Sequence, residues 1–334
     1  MAKLEDIKVH DDSRKDSIFL KLFSYRALAL LIILLFLITL FSIILPNFFS
    51  LSNLKYTLLA LSDKGIIVIG MTLALATGLI DLSVGSVFAF SGVLAALLIS
   101  KDFPVSIAVI AGLFAGIAIG FLNGIVVEKL KVNFLITTLG TMGIFRGFTT
   151  LLSQQPIAFL PQSFTQIGQK IIFFQSPVWI MFILLVVFGI LMARHRYFRQ
   201  NYYIGGNERA ATLSGIRVPT IKIVTFIIVG LFSAIAGIVY VARAGAATST
   251  MGIGLELKVI AAAVIGGCSL DGGEGSIFGS FLGVIFMELI LDILVFAKVS
   301  TYWHEIVTGI ILILAVAFDQ WIKRRREGMS SRMV

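Results

Sequence analysis

Cysteine is almost absent from this chain. Cys268 is the only one among 334 residues, which excludes an internal disulfide and any metal site built from clustered cysteines, and says nothing about compartment. Histidine is nearly as rare: His10, His195 and His304 stand far apart and supply no ligand spacing. The strings HExxH and G-x-S-x-G do not occur, nor does a glycine run closing on Lys-Ser or Lys-Thr. Zinc proteolysis, a serine nucleophile elbow and a P-loop for ATP therefore all lack their residues. Catalysis has no visible seat here, and no cofactor is expected on the chain itself. Charge is sparse as well, at 13% of residues.

What is present is apolar. A hydrophobic fraction of 58% and a mean hydropathy of +1.01 lie far from soluble averages and put the chain in a bilayer. Several runs reach the ~20 residues that a helix needs to cross the hydrocarbon layer, so a soluble domain on one anchor is excluded. A β-barrel is excluded too, because barrel strands alternate while "ALALLIILLFLITLFSIIL" (27–45) is apolar all round. About ten spans are expected, at 27–45, 57–79, 84–100, 104–127, 133–153, 177–193, 222–242, 256–271, 276–297 and 302–320. The fold class is thus an all-α polytopic membrane protein. The segments at 84–100 and 256–271 are short and flanked by glycine, as broken helices or re-entrant pieces are.

The net charge of +9 does not point to nucleic acid, because Lys and Arg gather at the ends of apolar runs. Lys15, Lys21 and Arg26 precede the first span; Arg194, Arg196, Arg199, Arg209, Arg217 and Lys222 fill the middle loop; Lys323, Arg324, Arg325 and Arg326 follow the last span. The positive-inside rule makes all three cytoplasmic. Six spans then four separate them, both even, so an N-in/C-in topology is self-consistent. Residues 1–26 are read as a cytoplasmic tail before an uncleaved first helix, 27–320 as the transmembrane domain, and 321–334 as a second cytoplasmic tail. "SQQPIAFLPQSFTQIGQ" (153–169) falls on the far side and "EKLK" (128–131) inside.

Two turns echo each other. "DLSVGSVF" (81–88) and "DGGEGSIF" (271–278) agree at Asp, Gly, Ser and Phe at an offset of 190, which carries spans two to four onto spans eight to ten and suggests an internal duplication. Asp81, Gly85, Asp271 and Gly275 mark these turns as candidates for gating. Each Asp is expected either to cap the helix that follows or to handle substrate or ions. Gly252 to Gly283 holds nine of the 31 glycines, a density suited to close helix packing.

The longest loop between spans on the cytoplasmic side, 194–221, carries "YYIGGNERAATLSGIRV" (202–218), with Asn207 placed to cap a helix from Glu208 to Leu213 and Gly215 to stop it. Gly205 and Gly206 are expected to allow a sharp turn into that helix. Its few apolar residues suit a groove on a partner better than lipid headgroups.

At this point the sequence resembles a known family. "GLIDLSVGSVFAFSGVLAA" (78–96), "IGGNERAATLSGI" (204–216), "GIGLELKVIAAAVIGGCSLDGGEGSIFGSFLG" (252–283) and "VSTYWHEIVTGIILILAVAFD" (299–319) are similar to the signature stretches of permease subunits of ribose-type ABC importers. The resemblance implies a homodimer, or a pair of similar permeases, around a sugar pathway in the inner membrane. It also implies a cytoplasmic ATPase that holds ATP and magnesium, and a soluble sugar-binding protein outside. Ile204, Gly205, Gly206, Asn207, Glu208, Arg209, Ala210 and Leu213 would then form the coupling helix, with Glu208 and Arg209 touching the ATPase.

Ionisable and polar groups inside spans are costly and are candidates for the pathway. Glu288 and Asp292, four apart on one face, either line the pathway or pair with another helix. Asn123, Thr137, Thr138, Thr141 and Arg146 are further candidates, and Ser or Thr in spans also serve packing. Leu291-Asp292 departs from the Asn-containing turn usual in the family, which leaves the sugar open. Arg243 and Glu256 are expected to face outside, toward a binding protein or simply toward solvent. A branched-chain amino acid permease of the same superfamily and a stand-alone secondary transporter are the alternatives.

Overall fold

The computed structural model describes residues 25–330. The expected N-terminal tail through residue 24, with Lys15 and Lys21, and residues 331–334 lie outside the described residues.

A chain surrounded by lipid must satisfy its backbone internally, and these apolar runs do so as helices. α1 (Tyr25–Ile44) is followed by α2 (Leu51–Ala60) and α3 (Ser62–Ala76), which form one span bent by 41° at Leu61. Ser50 opens α2 by accepting from the Asn53 N–H at 3.1 Å. α4 (Val84–Ser100), α5 (Val105–Glu128) and α6 (Phe134–Leu152) follow through short turns. A cover comes next, made of α7 (Gln162–Thr165) and the two-residue strands β1 (Lys170–Ile171) and β2 (Phe174–Gln175), paired antiparallel. α8 (Ser176–Arg194) leads to α9 (Arg196–Gly206) and α10 (Glu208–Leu213). The rest is α11 (Val218–Ala244), α12 (Leu255–Ile265), α13 (Ile277–Phe296) and α14 (Tyr302–Ser330).

Seven of these helices are long and apolar enough to cross a membrane unaided, and the bent pair makes an eighth. The other two expected spans are the short ones. α4 is a continuous helix of 17 residues, so 84–100 is unbroken. α12 has 11 residues, a rise of about 16 Å that covers only half of a ~30 Å hydrocarbon layer. The chain reaches it by turning back into the bundle after α11, where Gly252 lies against the Gly85 carbonyl and the Phe88 ring. Residues 256–271 are therefore a half-span led by a re-entrant segment, the arrangement that their flanking glycines suggested.

Burial identifies the centre. Ile66, Ile67, Val68, Ile69, Met71, Leu73 and Leu75 of α3 are wholly buried, whereas α1 leaves most of its surface to lipid. α11 packs along α5 where glycines remove side chains: a Cβ on Gly116 or on Gly230 would collide with the other's carbonyl, and one on Gly120 with the Phe226 carbonyl. Gly266 and Gly279 join α12 to α13 in the same reciprocal way. Backbones at such distances gain dispersion contacts that larger residues forbid.

The offset of 190 carries α3 onto the stretch holding α12, α4 onto most of α13, and α5 onto the first part of α14, to residue 318. The two echoing turns also meet in space, at the end of the bundle that carries α9 and α10. Gly78 lies beside the Asp271 carbonyl, and the Gly273 N–H donates to the Ala76 carbonyl at 3.0 Å. Neither aspartate caps the next helix. Asp81 accepts from the N–H and hydroxyl of Ser83, two residues on, and shapes the turn itself. Asp271 stands five residues before Ser276, whose hydroxyl caps α13 by accepting from the Gly279 N–H at 3.0 Å. In the first turn Ser83 stands at the cap position of α4 without a side-chain bond to that helix, so only the second turn has a side-chain cap, and Ser276 supplies it.

Candidate functional site

The 194–221 loop is the best-defined polar structure at that end of the bundle. It contains more helix than its sequence suggested, since α9 precedes α10 and runs to Gly206. Gly205 and Gly206 complete α9 and make no turn. Gly205 instead sits where the two echoing turns converge, and a Cβ there would collide with the Ala76 carbonyl and the Gly273 N–H; a Cβ on Gly206 would point into open space. One helical turn earlier, the Tyr202 hydroxyl donates to the Gly275 carbonyl at 2.8 Å. Burial raises the pKa of this phenol, with Cys268 adding to the effect, so it remains a hydrogen-bond donor.

Asn207 then opens α10 as expected. It is extended and its side chain accepts from the Ala210 N–H at 2.9 Å. Gly215, at φ +82°, closes it, a conformation that glycine takes without the Cβ penalty. The back of this unit is fixed by Ile204, Ala211, Val218 and Ile221, which form a small buried apolar cluster. It is also held by charge, because the Lys222 ammonium lies 2.8 Å from Glu208 and 3.3 Å from the buried Glu128. Lys131 approaches Glu128 at 3.6 Å from the surface. Glu208 thus faces inward, onto a polar cavity of about 510 Å³ that Glu128, Asn133, Asn207 and Lys222 also line. Arg209, Ala210 and Leu213 face outward, with Leu213 84% exposed. Sequence reading assigned Lys222 and Glu128 only to topology; their pairing needed the fold that sets α10 across the ends of α5 and α11.

A second polar run goes into the bundle from the first turn. Thr141 donates to Asn123 at 2.6 Å, Asn123 donates to Ser83 at 3.1 Å, and the Ser83 hydroxyl donates to Asp81 at 2.5 Å. Asp81, Ser83 and Asn123 are buried. Asn123, Thr141 and Asp81 are therefore brought together. Thr137 and Thr138 are not, since each hydroxyl returns to a carbonyl of its own helix.

At the opposite end, Glu288 pairs with Lys64 at 3.0 Å, while Asp292 accepts from Asn53 at 2.9 Å and from Thr57 at 3.0 Å. Both acids thus hold the bent α2–α3 span, and they also line a cavity of about 340 Å³ with Lys258 and His304. Arg146 donates to the carbonyls of Ser249 and Met251, each at 2.8 Å, and so fixes the re-entrant segment. Arg243 and Glu256 are not presented as free charges on an outer surface. Arg243 donates to the Leu59 carbonyl at 2.8 Å, next to the bend, and lies over the Tyr240 ring. Glu256 is drawn in by the half-span and lies against Gly85.

Among the described residues, polar groups are thus gathered at the loop, through Glu208, Lys222 and Glu128, and in a relay from the first turn into the helical bundle, through Asp81, Ser83, Asn123 and Thr141. Comparison with known proteins adds the family. No solved structure matches the chain. A ribose import permease protein of Escherichia coli is 39% identical over 298 residues, 86% of this chain and 92% of its own. An L-arabinose transport system permease protein of the same species is 38% identical over 85% of this chain and 88% of its own. An autoinducer 2 import system permease protein of Photorhabdus luminescens is 32% identical over 92% and 93%. The family model described as "Branched-chain amino acid transport system / permease component" matches residues 53–316, from the bent second span to the last. The chain belongs to this family of transport-system permease components and is a multi-pass protein of the bacterial inner membrane.

Proposed function

We propose that the chain is a permease subunit of an ABC importer for a monosaccharide, a ribose- or arabinose-like pentose or a similar small sugar. It works as a homodimer or with a second, similar permease. A separate ABC ATPase, which holds ATP and magnesium, docks at the α9–α10 end, and a soluble sugar-binding protein delivers substrate at the other. The α9–α10 end and both termini are cytoplasmic in this reading, as the Lys and Arg distribution requires. The relatives' names support the sugar class, since they include ribose and L-arabinose permeases.

The observation that carries the coupling role is the two-sidedness of α10. Its back is fixed by Asn207, Glu208 and the Ile204 cluster, and its front offers Arg209 and Leu213 to whatever lies outside. A partner can bias the membrane part only through an element gripped on both sides. The test is uptake of labelled pentose into vesicles that hold the full importer. Arg209→Glu with Leu213→Asp should abolish uptake and substrate-stimulated ATP hydrolysis and leave membrane insertion intact; normal uptake refutes the docking role. The family description also names branched-chain amino acids, so labelled leucine belongs in the same assay, and uptake of leucine alone refutes the sugar class. Uphill pentose uptake without nucleotide, driven by an ion gradient, refutes the importer.

A further inference from the structure

A groove of about 790 Å³ lies between α8, α9 and α13, outside the polar relay described above, and it is within the size range of ordinary small-molecule sites. Leu185 and Met192 form its buried floor. Its far end is closed by Phe182 and Phe281, whose rings meet edge to face at 6.0 Å. Its near end carries Arg199, with Tyr203 beside it at 3.5 Å. Between these ends the wall is hollowed at Gly189, where an added Cβ would meet nothing.

We propose that this groove holds one anionic phospholipid, with an acyl chain between Gly189 and the Phe182–Phe281 pair and the phosphate on Arg199. Three observations select this occupant. The first is depth: from Phe182 to Arg194 α8 rises about 18 Å, close to one leaflet of a ~30 Å hydrocarbon layer. The second is polarity, which runs in one direction only, from an aromatic stop inside the bundle to a cation at the interface, as a lipid does. The third is charge. Arg199 and the neighbouring Arg196 are exposed, and among the described residues neither takes part in an ion pair. A phosphate supplies the missing partner in the planar geometry that a guanidinium favours. The site adjoins the loop directly, since Tyr202 lines the groove and also holds the Gly275 carbonyl. An occupied groove therefore stiffens the contact between α9 and the second turn.

The full chain, purified with any partners that remain attached, is stripped of lipid and titrated with phosphatidylglycerol or phosphatidylcholine under native mass spectrometry. One phosphatidylglycerol should bind about tenfold tighter than phosphatidylcholine, and Arg199→Gln should remove that preference by weakening phosphatidylglycerol about tenfold. Gly189→Phe should block both lipids at this site, because its ring fills the hollow; Val186→Trp narrows the same groove from its lipid-exposed wall and should do the same if the first variant folds poorly. Excess inorganic phosphate should displace nothing. Equal affinity for the two lipids, unchanged binding in both groove-filling variants, or displacement by phosphate would overturn the assignment.

Discussion

Replacing Lys222 by Met tests the ionic hold on α10. The ammonium is 2.8 Å from Glu208 and 3.3 Å from Glu128, but the two carboxylates differ in surroundings: the Glu208 side chain is 55% exposed and that of Glu128 only 4%. Without Lys222, Glu128 keeps only the surface Lys131 at 3.6 Å, and stranding a buried charge costs about 3–5 kcal/mol. Glu208→Gln removes the half-solvated partner and costs about 1 kcal/mol or less. Lys222→Met should therefore lower the thermal unfolding temperature of the purified chain in detergent by an amount on the order of 10 °C, and Glu208→Gln by only a few degrees. Adding Glu128→Gln to Lys222→Met should recover most of the loss, because no buried charge then remains. Glu208→Gln should still speed hydrogen exchange in residues 208–213, since α10 loses its tether while the bundle does not. Equal costs for the two single variants, or no rescue in the double, would refute the reasoning.

Gly205→Ala should cost about 1–3 kcal/mol, because the new methyl meets backbone on both turns, whereas Gly206→Ala should lie within about 0.5 kcal/mol; thermal unfolding of the pair separates them. Arg146→Met should free the carbonyls of Ser249 and Met251 and raise hydrogen exchange across 249–255, at a stability cost of about 2 kcal/mol. Asp292→Ala should cost about 1–2 kcal/mol by removing the acceptor that Asn53 and Thr57 share, while each keeps a backbone carbonyl, that of Phe48 and of Asn53. Asp292→Asn, which keeps an acceptor, should cost less in the same thermal assay.

Spans were legible in this sequence because their signal is local: apolar length alone marks a helix in lipid, and the glycines around 256–271 announced a break that α12 shows. The loop helix was legible for the same reason, Asn207 and Gly215 being its start and stop. What depended on distant residues was not. Glu208 read as an outward group, since nothing near it in sequence reveals Lys222 fourteen residues on, or Glu128 on another helix. Arg243 read as an outer charge, and it is held by a carbonyl 184 positions away that the bend at Leu61 leaves available. Gly205 read as a turn-former because glycine's usual meaning is conformational freedom; its meaning here is the absence of a side chain where backbones meet. Of the two roles expected for the aspartates of the echoing turns, capping is not the one they take, because Asp81 stands two residues before the cap position at Ser83 and Asp271 five before the cap at Ser276.

These corrections share a direction, and it bears on how the loop can act. If Glu208 and Gly205 had made no contact with the bundle, α10 would be a handle joined to it at one covalent point on each side. As placed, it is joined through Lys222 to the ends of α5 and α11, through Gly205 to both echoing turns, and through Tyr202 to the start of α13. Since the Gly273 N–H also bonds the Ala76 carbonyl, the two turns cannot part without breaking that contact, and a displacement of α9 has to be shared between them. From the first turn the Ser83–Asn123–Thr141 run continues into α5 and α6. The far end is held separately, by Asp292 and Arg243 at the bend of α2 and α3. A push on Arg209 and Leu213, as the proposed ATPase docking would deliver, would thus act on one end of a bundle whose other end has its own fixings, which is the condition for tilting spans against each other instead of translating them together.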